Sequence, residues 1–228
     1  MKSKQASKIT PKARGSKRLM SELLTDTRQY IEQAEHADVE TLRQFLLANP
    51  ERPLIAMGHG GAHSSASYAS LLYGTNCGLG RVVTPYEANS FSDETIRNSK
   101  LLLVSTSLKN QDAVYIADRM IRVNPQHSCV LTMSQDENTM MKRMMKNNPN
   151  SVIRHSFDCA DGFISVNGTF IYFSLLYKAF TGDADFSRRL VLSSESADNY
   201  TYRCVDGITT PPDLGSISQF TVLYGSYG

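Results

Sequence analysis

Leu101-Leu102-Leu103-Val104-Ser105-Thr106-Ser107-Leu108-Lys109-Asn110 is the stretch that decides the fold. Its first four residues are an unbroken apolar run. A strand with one wet face alternates polar and apolar residues, so this run predicts a strand buried on both faces of a parallel sheet. A polar turn rich in hydroxyls follows. Beyond it, Ala113, Val114, Ile116, Ala117, Met120 and Ile121 recur at i, i+3, i+4, i+7 and i+8, the apolar stripe of an amphipathic helix. Buried strand, polar turn and packed helix are together the repeating unit of a layered α/β protein.

The same alternation extends in both directions. Upstream, Leu54-Ile55-Ala56-Met57 runs into Gly58-His59-Gly60-Gly61, then a helical segment over 62–73, then Arg81-Val82-Val83-Thr84 as another strand. Downstream, Ser128-Cys129-Val130-Leu131-Thr132-Met133 and Ser151-Val152-Ile153-Arg154 read as strands four and five, separated by a helix over 138–146. The methionines of that helix (Met140, Met141, Met144, Met145) suit a core, because the flexible thioether fills irregular gaps. Residues 163–180 form a long apolar helix. Before the first strand, Met20, Leu23, Leu24, Tyr30, Ile31 and Ala34 predict one helix. Asp38 is placed to cap a second, which carries Leu42, Phe45, Leu46 and Leu47 and ends near Asn49-Pro50.

Composition narrows the class. With 41% hydrophobic and 20% charged residues over 228 positions, the chain can form a packed core. No apolar run approaches the roughly 18 residues of a membrane helix. No apolar signal segment opens the chain, so secretion is not expected. The cysteines (Cys77, Cys129, Cys159, Cys204) are far apart and form no C-x-x-C pair, which argues against structural zinc or a disulfide framework and fits a reducing cytoplasm. Charge is uneven. Residues 1–18 hold seven basic side chains and no acid, leaving 17 basic and 22 acidic groups, a formal −5, on the rest. The body is therefore no nucleic-acid platform. The tail reads as a solubilising arm, with contact to RNA, DNA or an anionic membrane as its other use, so nucleic acid is expected as a partner only through the tail.

In an open parallel sheet, ligands bind beyond the carboxyl ends of the strands. Two such ends carry chemistry. In Gly58-His59-Gly60-Gly61-Ala62-His63-Ser64-Ser65 the glycines let backbone approach a ligand, and the next helix offers free N–H groups to an anion. The turn is no P-loop, because the Gly-Lys-Ser/Thr ending is missing, and it lacks the last glycine of a dinucleotide fingerprint. No cofactor is expected. The second end is Ser105-Thr106-Ser107-Leu108-Lys109-Asn110, where three hydroxyls and a lysine meet at a helix start. That suits a phosphate. Ordinary capping by Ser107 or Asn110 is the alternative, though capping needs only one such residue.

The order of these elements resembles the sugar isomerase (SIS) domain family, over about residues 20–180. The family's Gly-x-Gly-x-Ser turn is similar to Gly58-His59-Gly60-Gly61-Ala62. Its acidic residue ahead of the buried strand resembles Glu87 in Tyr86-Glu87-Ala88-Asn89. Its Ser-x-Ser-Gly-x-Ser/Thr phosphate loop is similar to Ser105-Thr106-Ser107-Leu108-Lys109-Asn110, and its acidic position before the long helix falls at Asp161. The resemblance implies a flavodoxin-like three-layer sandwich with a mostly parallel five-stranded sheet. It implies a phosphosugar held by His59, Gly60, Gly61, Ser105, Thr106, Ser107 and Asn110, and a use in isomerisation, aminosugar-phosphate processing or sugar-phosphate sensing. It also implies a homo-oligomer or a second SIS domain as partner.

This sequence departs from the family at informative places. Ala62 stands where a hydroxyl helps hold the ligand, and Asn110 where a hydroxyl touches phosphate. Leu108 replaces the glycine of the phosphate loop, where a side chain narrows it. Lys109 replaces a common glutamate, Asp161 is shorter than a glutamate base, and Gly168 replaces a lysine. Moving a carbonyl between C1 and C2 needs a base for a carbon-bound proton and groups that hold the enediolate charge. Glu87 and Asp161 are the candidate bases, and His63 or His59 could open a ring or shuttle a proton. His59 and His63 also have the i, i+4 spacing of a metal pair, but no third ligand is evident nearby, so no metal is expected.

The end of the chain echoes its middle. Phe220-Thr221-Val222-Leu223-Tyr224-Gly225-Ser226-Tyr227-Gly228 has the strand-into-glycine form of Pro53-Leu54-Ile55-Ala56-Met57-Gly58-His59-Gly60-Gly61. The expected organisation is a basic tail over 1–18, an SIS-like domain over 19–182, and over 183–228 a connector with the first strand of an incomplete second domain.

Overall fold

The computed structural model describes residues 20–134, 139–157, 166–184 and 186. Asp161, the tail over 1–18 and nearly all of 183–228 lie outside the described residues, and with them the expected second domain. In chain order the elements are α1 (Met20–His36), α2 (Glu40–Leu47), β1 (Leu54–Met57), α3 (Gly61–Asn76), β2 (Gly80–Val83), α4 (Pro85–Asn89), α5 (Asp93–Asn98), β3 (Lys100–Val104), α6 (Gln111–Val123), β4 (Ser128–Thr132), α7 (Thr139–Asn147), β5 (Val152–Arg154) and α8 (Val166–Thr181). The strands form one five-stranded sheet in the order β2-β1-β3-β4-β5. Every pairing is parallel.

Helices cover both faces, and the strand residues alternate between two cores. Leu54, Ala56, Leu102, Val104, Cys129 and Leu131 pack with residues of α1, α2, α3 and α8. Ile55, Met57, Leu101, Leu103 and Val130 pack with residues of α4, α5, α6 and α7. Right-handed crossovers require this split. The chain leaves β1 toward β2 through α3 on one face. It then returns across the sheet to β3, β4 and β5 with its connections on the other. β3 is buried along its whole length, as its apolar run predicts. Met141 and Met144 of α7 are fully buried in the second core, as expected of gap-filling methionines, and Met140 packs partly against it. Met145 is exposed, because it falls on the outer face of the helix, so the expectation holds for only part of the set.

Cations close three helix ends by donating to the last carbonyls, which have no partner within the helix. Lys178 donates to the carbonyls of Glu35 and Ala37, each at 2.7 Å, at the end of α1. Arg43 donates to those of Ala179 and Phe180 at the end of α8. Lys100, only 1% exposed, donates to the carbonyl of Leu46 at 2.9 Å and to that of Ala48 at the end of α2. Burial pulls the Lys100 ammonium down to about 8. These contacts bind α1, α2 and α8 into one layer.

Some local expectations shift. Asp38 does bond the start of α2, accepting from the Glu40 N–H at 2.9 Å, but the cap residue itself is Val39, with no side-chain bond. The segment between β2 and β3 holds two short helices, α4 and α5, which the apolar periodicity did not reveal. Each begins at a hydroxyl cap, Thr84 and Ser92. No helix among the described residues is long and apolar enough to cross a membrane.

Candidate functional site

The strand order reverses direction at β1 and β3. Connections after β1 go to one face and those after β3 to the other, which opens a crevice between them at the carboxyl end of the sheet. Met57 is in register with Leu103, so the 58–61 turn and the 105–110 loop leave the sheet side by side. Both stretches singled out from sequence therefore border the same crevice.

The 58–61 turn folds back tightly beneath α3. A Cβ on Gly58 would lie 2.2 Å from the Ala62 carbonyl oxygen and 2.7 Å from the His63 nitrogen, so only glycine fits. Gly60, the N-cap of α3, has φ 58°, a conformation natural to glycine. Gly61 begins the helix, and the Thr169 hydroxyl of α8 donates to its carbonyl at 3.4 Å, which brings the start of α8 to the same turn. His59 is exposed and precedes the cap, so it does not share a helix face with His63. His63 sits in the first turn of α3 with Nδ1 buried and unpartnered. Ala62 is partly buried against the first core. Gly168 is buried in the first turn of α8. No three His, Cys, Asp or Glu residues cluster to hold a metal among the described residues.

The 105–110 loop is organised by its own polar groups. The Ser105 N–H donates to the Leu131 carbonyl at 3.0 Å, prolonging the sheet by one residue. Thr132 Oγ1 donates to the Thr106 carbonyl at 3.2 Å. Ser105 Oγ accepts from the Leu108 N–H at 3.0 Å and keeps its own proton to donate. Asn110 is the N-cap of α6, its Oδ1 accepting from the Asp112 and Ala113 N–H groups. Its amide NH2 still points to a donor role. Thr106 is exposed and Ser107 half-buried, and neither hydroxyl is spent on shaping the loop.

Leu108 explains how the loop does without the glycine. Its φ is 50°, so the backbone takes the left-handed turn that glycine would take. Its side chain is 1% exposed and belongs to the second core. The expectation that it narrows the loop is therefore corrected: the side chain points away from the crevice and anchors the loop from below.

Glu87 has a definite local job. It is the third residue of a capping box on α4: its Oε2 accepts from the Thr84 N–H at 2.6 Å and from the Thr84 hydroxyl at 2.9 Å. Thr84 Oγ1 in turn accepts from the Glu87 N–H at 3.2 Å. The bonds from Thr84, with smaller help from the charges of His63 and Arg81, hold the carboxyl below its usual range. The structure thus brings Glu87 and His63 to one side of the crevice, but it presents Glu87 as a cap. The signal was in the sequence, since Thr84-Pro85-Tyr86-Glu87 is a capping-box pattern with proline at the first helical position.

No protein-family model matches this sequence, and no curated protein does. Solved structures do. A candidate phosphosugar isomerase involved in capsule formation from Bacteroides fragilis matches with a TM-score of 0.54 at 19% identity, over 78% of this chain and 93% of that one. A candidate sugar-phosphate isomerase from Listeria monocytogenes matches with a TM-score of 0.52 at 10% identity, over 79% of this chain and 96% of that one. A candidate sugar binding protein from Salmonella typhimurium matches with a TM-score of 0.50 at 16% identity, over 81% of this chain and 54% of that one. The shared feature is the fold, a flavodoxin-like three-layer α/β architecture around a five-stranded parallel sheet.

Proposed function

We propose that this chain binds a sugar phosphate, with the phosphate against the 105–110 loop and the sugar over the 58–61 turn. One observation carries the reading: the two stretches with anion- and ligand-binding chemistry flank a single switch-point crevice. Ser107, Thr106, the Ser105 proton and the Asn110 amide supply donors, and Lys109 adds a charge. The structural neighbours, two candidate isomerases of sugar phosphates and a candidate sugar binding protein, support the same ligand class.

Binding is better supported than turnover. Glu87, offered by sequence as a base, is committed to its cap and held below the ordinary carboxylate range, which weakens it for proton abstraction. Asp161 lies outside the described residues. Because Glu87 is spent on its cap, we place a sugar-phosphate sensor or interaction protein ahead of an isomerase. The partner we propose is a second copy or a second domain of the same kind, in the cytoplasm.

A thermal-shift screen against hexose and aminohexose phosphates, matching free sugars and inorganic phosphate tests this. A ligand at about 100 times its Kd stabilises by about 2.7 kcal/mol. For a protein of this size that is a rise of about 5–10 °C in Tm. The expected result is a shift with particular sugar phosphates alone. No shift with any of them, or the same shift with inorganic phosphate, contradicts the proposal.

A further inference from the structure

Next to the 105–110 loop lies a second concavity that the sugar-phosphate reading leaves unused. It is an open groove of about 570 Å³ between α6 and α7. Val114 and Met140 give it an apolar part, and Lys109, Tyr115 and Arg143 line it beside them. Tyr115 is 58% exposed, an aromatic ring left open to solvent. Asp118, the acid of this groove, is already neutralised by Arg143 and by Arg122. Lys109 has no ion-pair partner among the described residues. The groove therefore presents a free aromatic face and an unspent cation at the end nearest the loop.

The position of this groove constrains its occupant. The switch-point crevice lies on the β1 side of the loop, whereas the groove lies between α6 and α7, and Lys109, itself a residue of the loop, lines the groove. A ligand that fills both must carry its phosphorus in the middle. A terminal monoester cannot do this, because nothing continues beyond its phosphate. From Gln111 to Asp118 the groove follows α6 for about 10 Å at 1.5 Å per residue. That suits one base with its ribose, and the flat face of a base is what an exposed tyrosine ring stacks on. We propose that the ligand is a nucleoside diphosphate sugar: the sugar in the crevice, the diphosphate on the 105–110 loop beside Lys109, and the base over Tyr115. This rests on the sugar-phosphate reading of the crevice.

The test is calorimetric titration of the full chain with hexose 6-phosphates, with the 1-phosphates of glucose, galactose and N-acetylglucosamine, and with their uridine, thymidine and guanosine diphosphate counterparts. The expected result is that at least one nucleotide sugar binds about tenfold or more tightly than its 1-phosphate. Tyr115→Ala should reduce that ratio by about tenfold, and Tyr115→Phe, which keeps the ring, should preserve it. An unchanged Tm in both variants establishes that they fold. Monoesters that bind as tightly as their nucleotide counterparts overturn the inference and leave the sugar-phosphate function standing. So does a ratio that Tyr115→Ala leaves unchanged. If neither class binds, the sugar-phosphate reading falls, and this inference with it.

Discussion

Leu108 offers a test in which two ordinary expectations reverse. It is a fully buried leucine whose backbone is in the left-handed region, at φ 50°. Truncating a buried leucine to alanine costs about 2–5 kcal/mol. The strain of a non-glycine residue in that conformation, about 1–2 kcal/mol, remains in Leu108→Ala. Leu108→Gly loses the same side chain but relieves the strain, against about 0.4–1 kcal/mol of extra chain entropy in the unfolded state. Glycine should therefore be the milder substitution by about 1 kcal/mol, the reverse of the usual order in regular structure. Urea unfolding reads this directly. With a slope of about 1–3 kcal/mol/M, the midpoint should fall by about 1–2 M for alanine and recover by roughly 0.5 M for glycine. Leu102 is an internal control: it is equally buried, but on the extended β3, so glycine there should be worse than alanine. If alanine is the better residue at 108, or both substitutions cost under about 1 kcal/mol, the anchored left-handed turn is wrong.

Other substitutions probe the rest of the frame. Gly58→Ala forces a methyl into the first turn of α3, where backbone atoms stand as near as 2.2 Å, and should cost about 3 kcal/mol or prevent folding; near-neutral stability in thermal unfolding would contradict the turn. Thr84→Ala should cost about 1 kcal/mol at neutral pH by opening the α4 capping box. Since the folded Glu87 pKa is depressed, the stabilisation Glu87 supplies is present above its unfolded pKa and is lost as pH falls through the lower folded value. The gap between wild type and Thr84→Ala should therefore shrink in acid, and a gap that widens refutes the cap. Lys100 makes a prediction of opposite sense: with its folded value near 8, the unfolded state holds more protons between about pH 8 and 10.4, so stability rises across that window. Lys100→Met should remove that rise and cost about 1–3 kcal/mol at neutral pH through the orphaned α2 carbonyls, which denaturation at a series of pH values would show.

What could be read from sequence follows from the range of the forces involved. The Leu101–Val104 run and the helix stripe after it report burial on both faces, a property each residue carries locally. Hence the parallel sheet, the layers and the two loops were legible. α4 and α5 span only five and six residues, too few for periodicity to register, and their capping hydroxyls were the readable signal. Glu87 is offered as a base by the family resemblance alone, while its nearest partner, Thr84, sits three residues away and takes the carboxylate. Leu108 could not be read: a branched apolar residue predicts a negative φ, and only the second core beneath the loop makes the left-handed turn favourable. Lys100 likewise depends on α2 arriving from 52–54 residues earlier in the chain, which no local pattern records.

The central claim concerns place as much as ligand, so the most direct measurement maps the ligand onto the chain. An amide chemical-shift titration with the sugar phosphate that gives the largest thermal shift should move the signals of residues 58–63 and 105–111 together, with one shared Kd. Ser107→Ala should weaken that Kd by the loss of about 1.5–3 kcal/mol for one charge-assisted hydrogen bond, with the loop otherwise intact. Shifts that fall elsewhere, or that move one of the two loops without the other, would contradict a site built across the β1–β3 crevice.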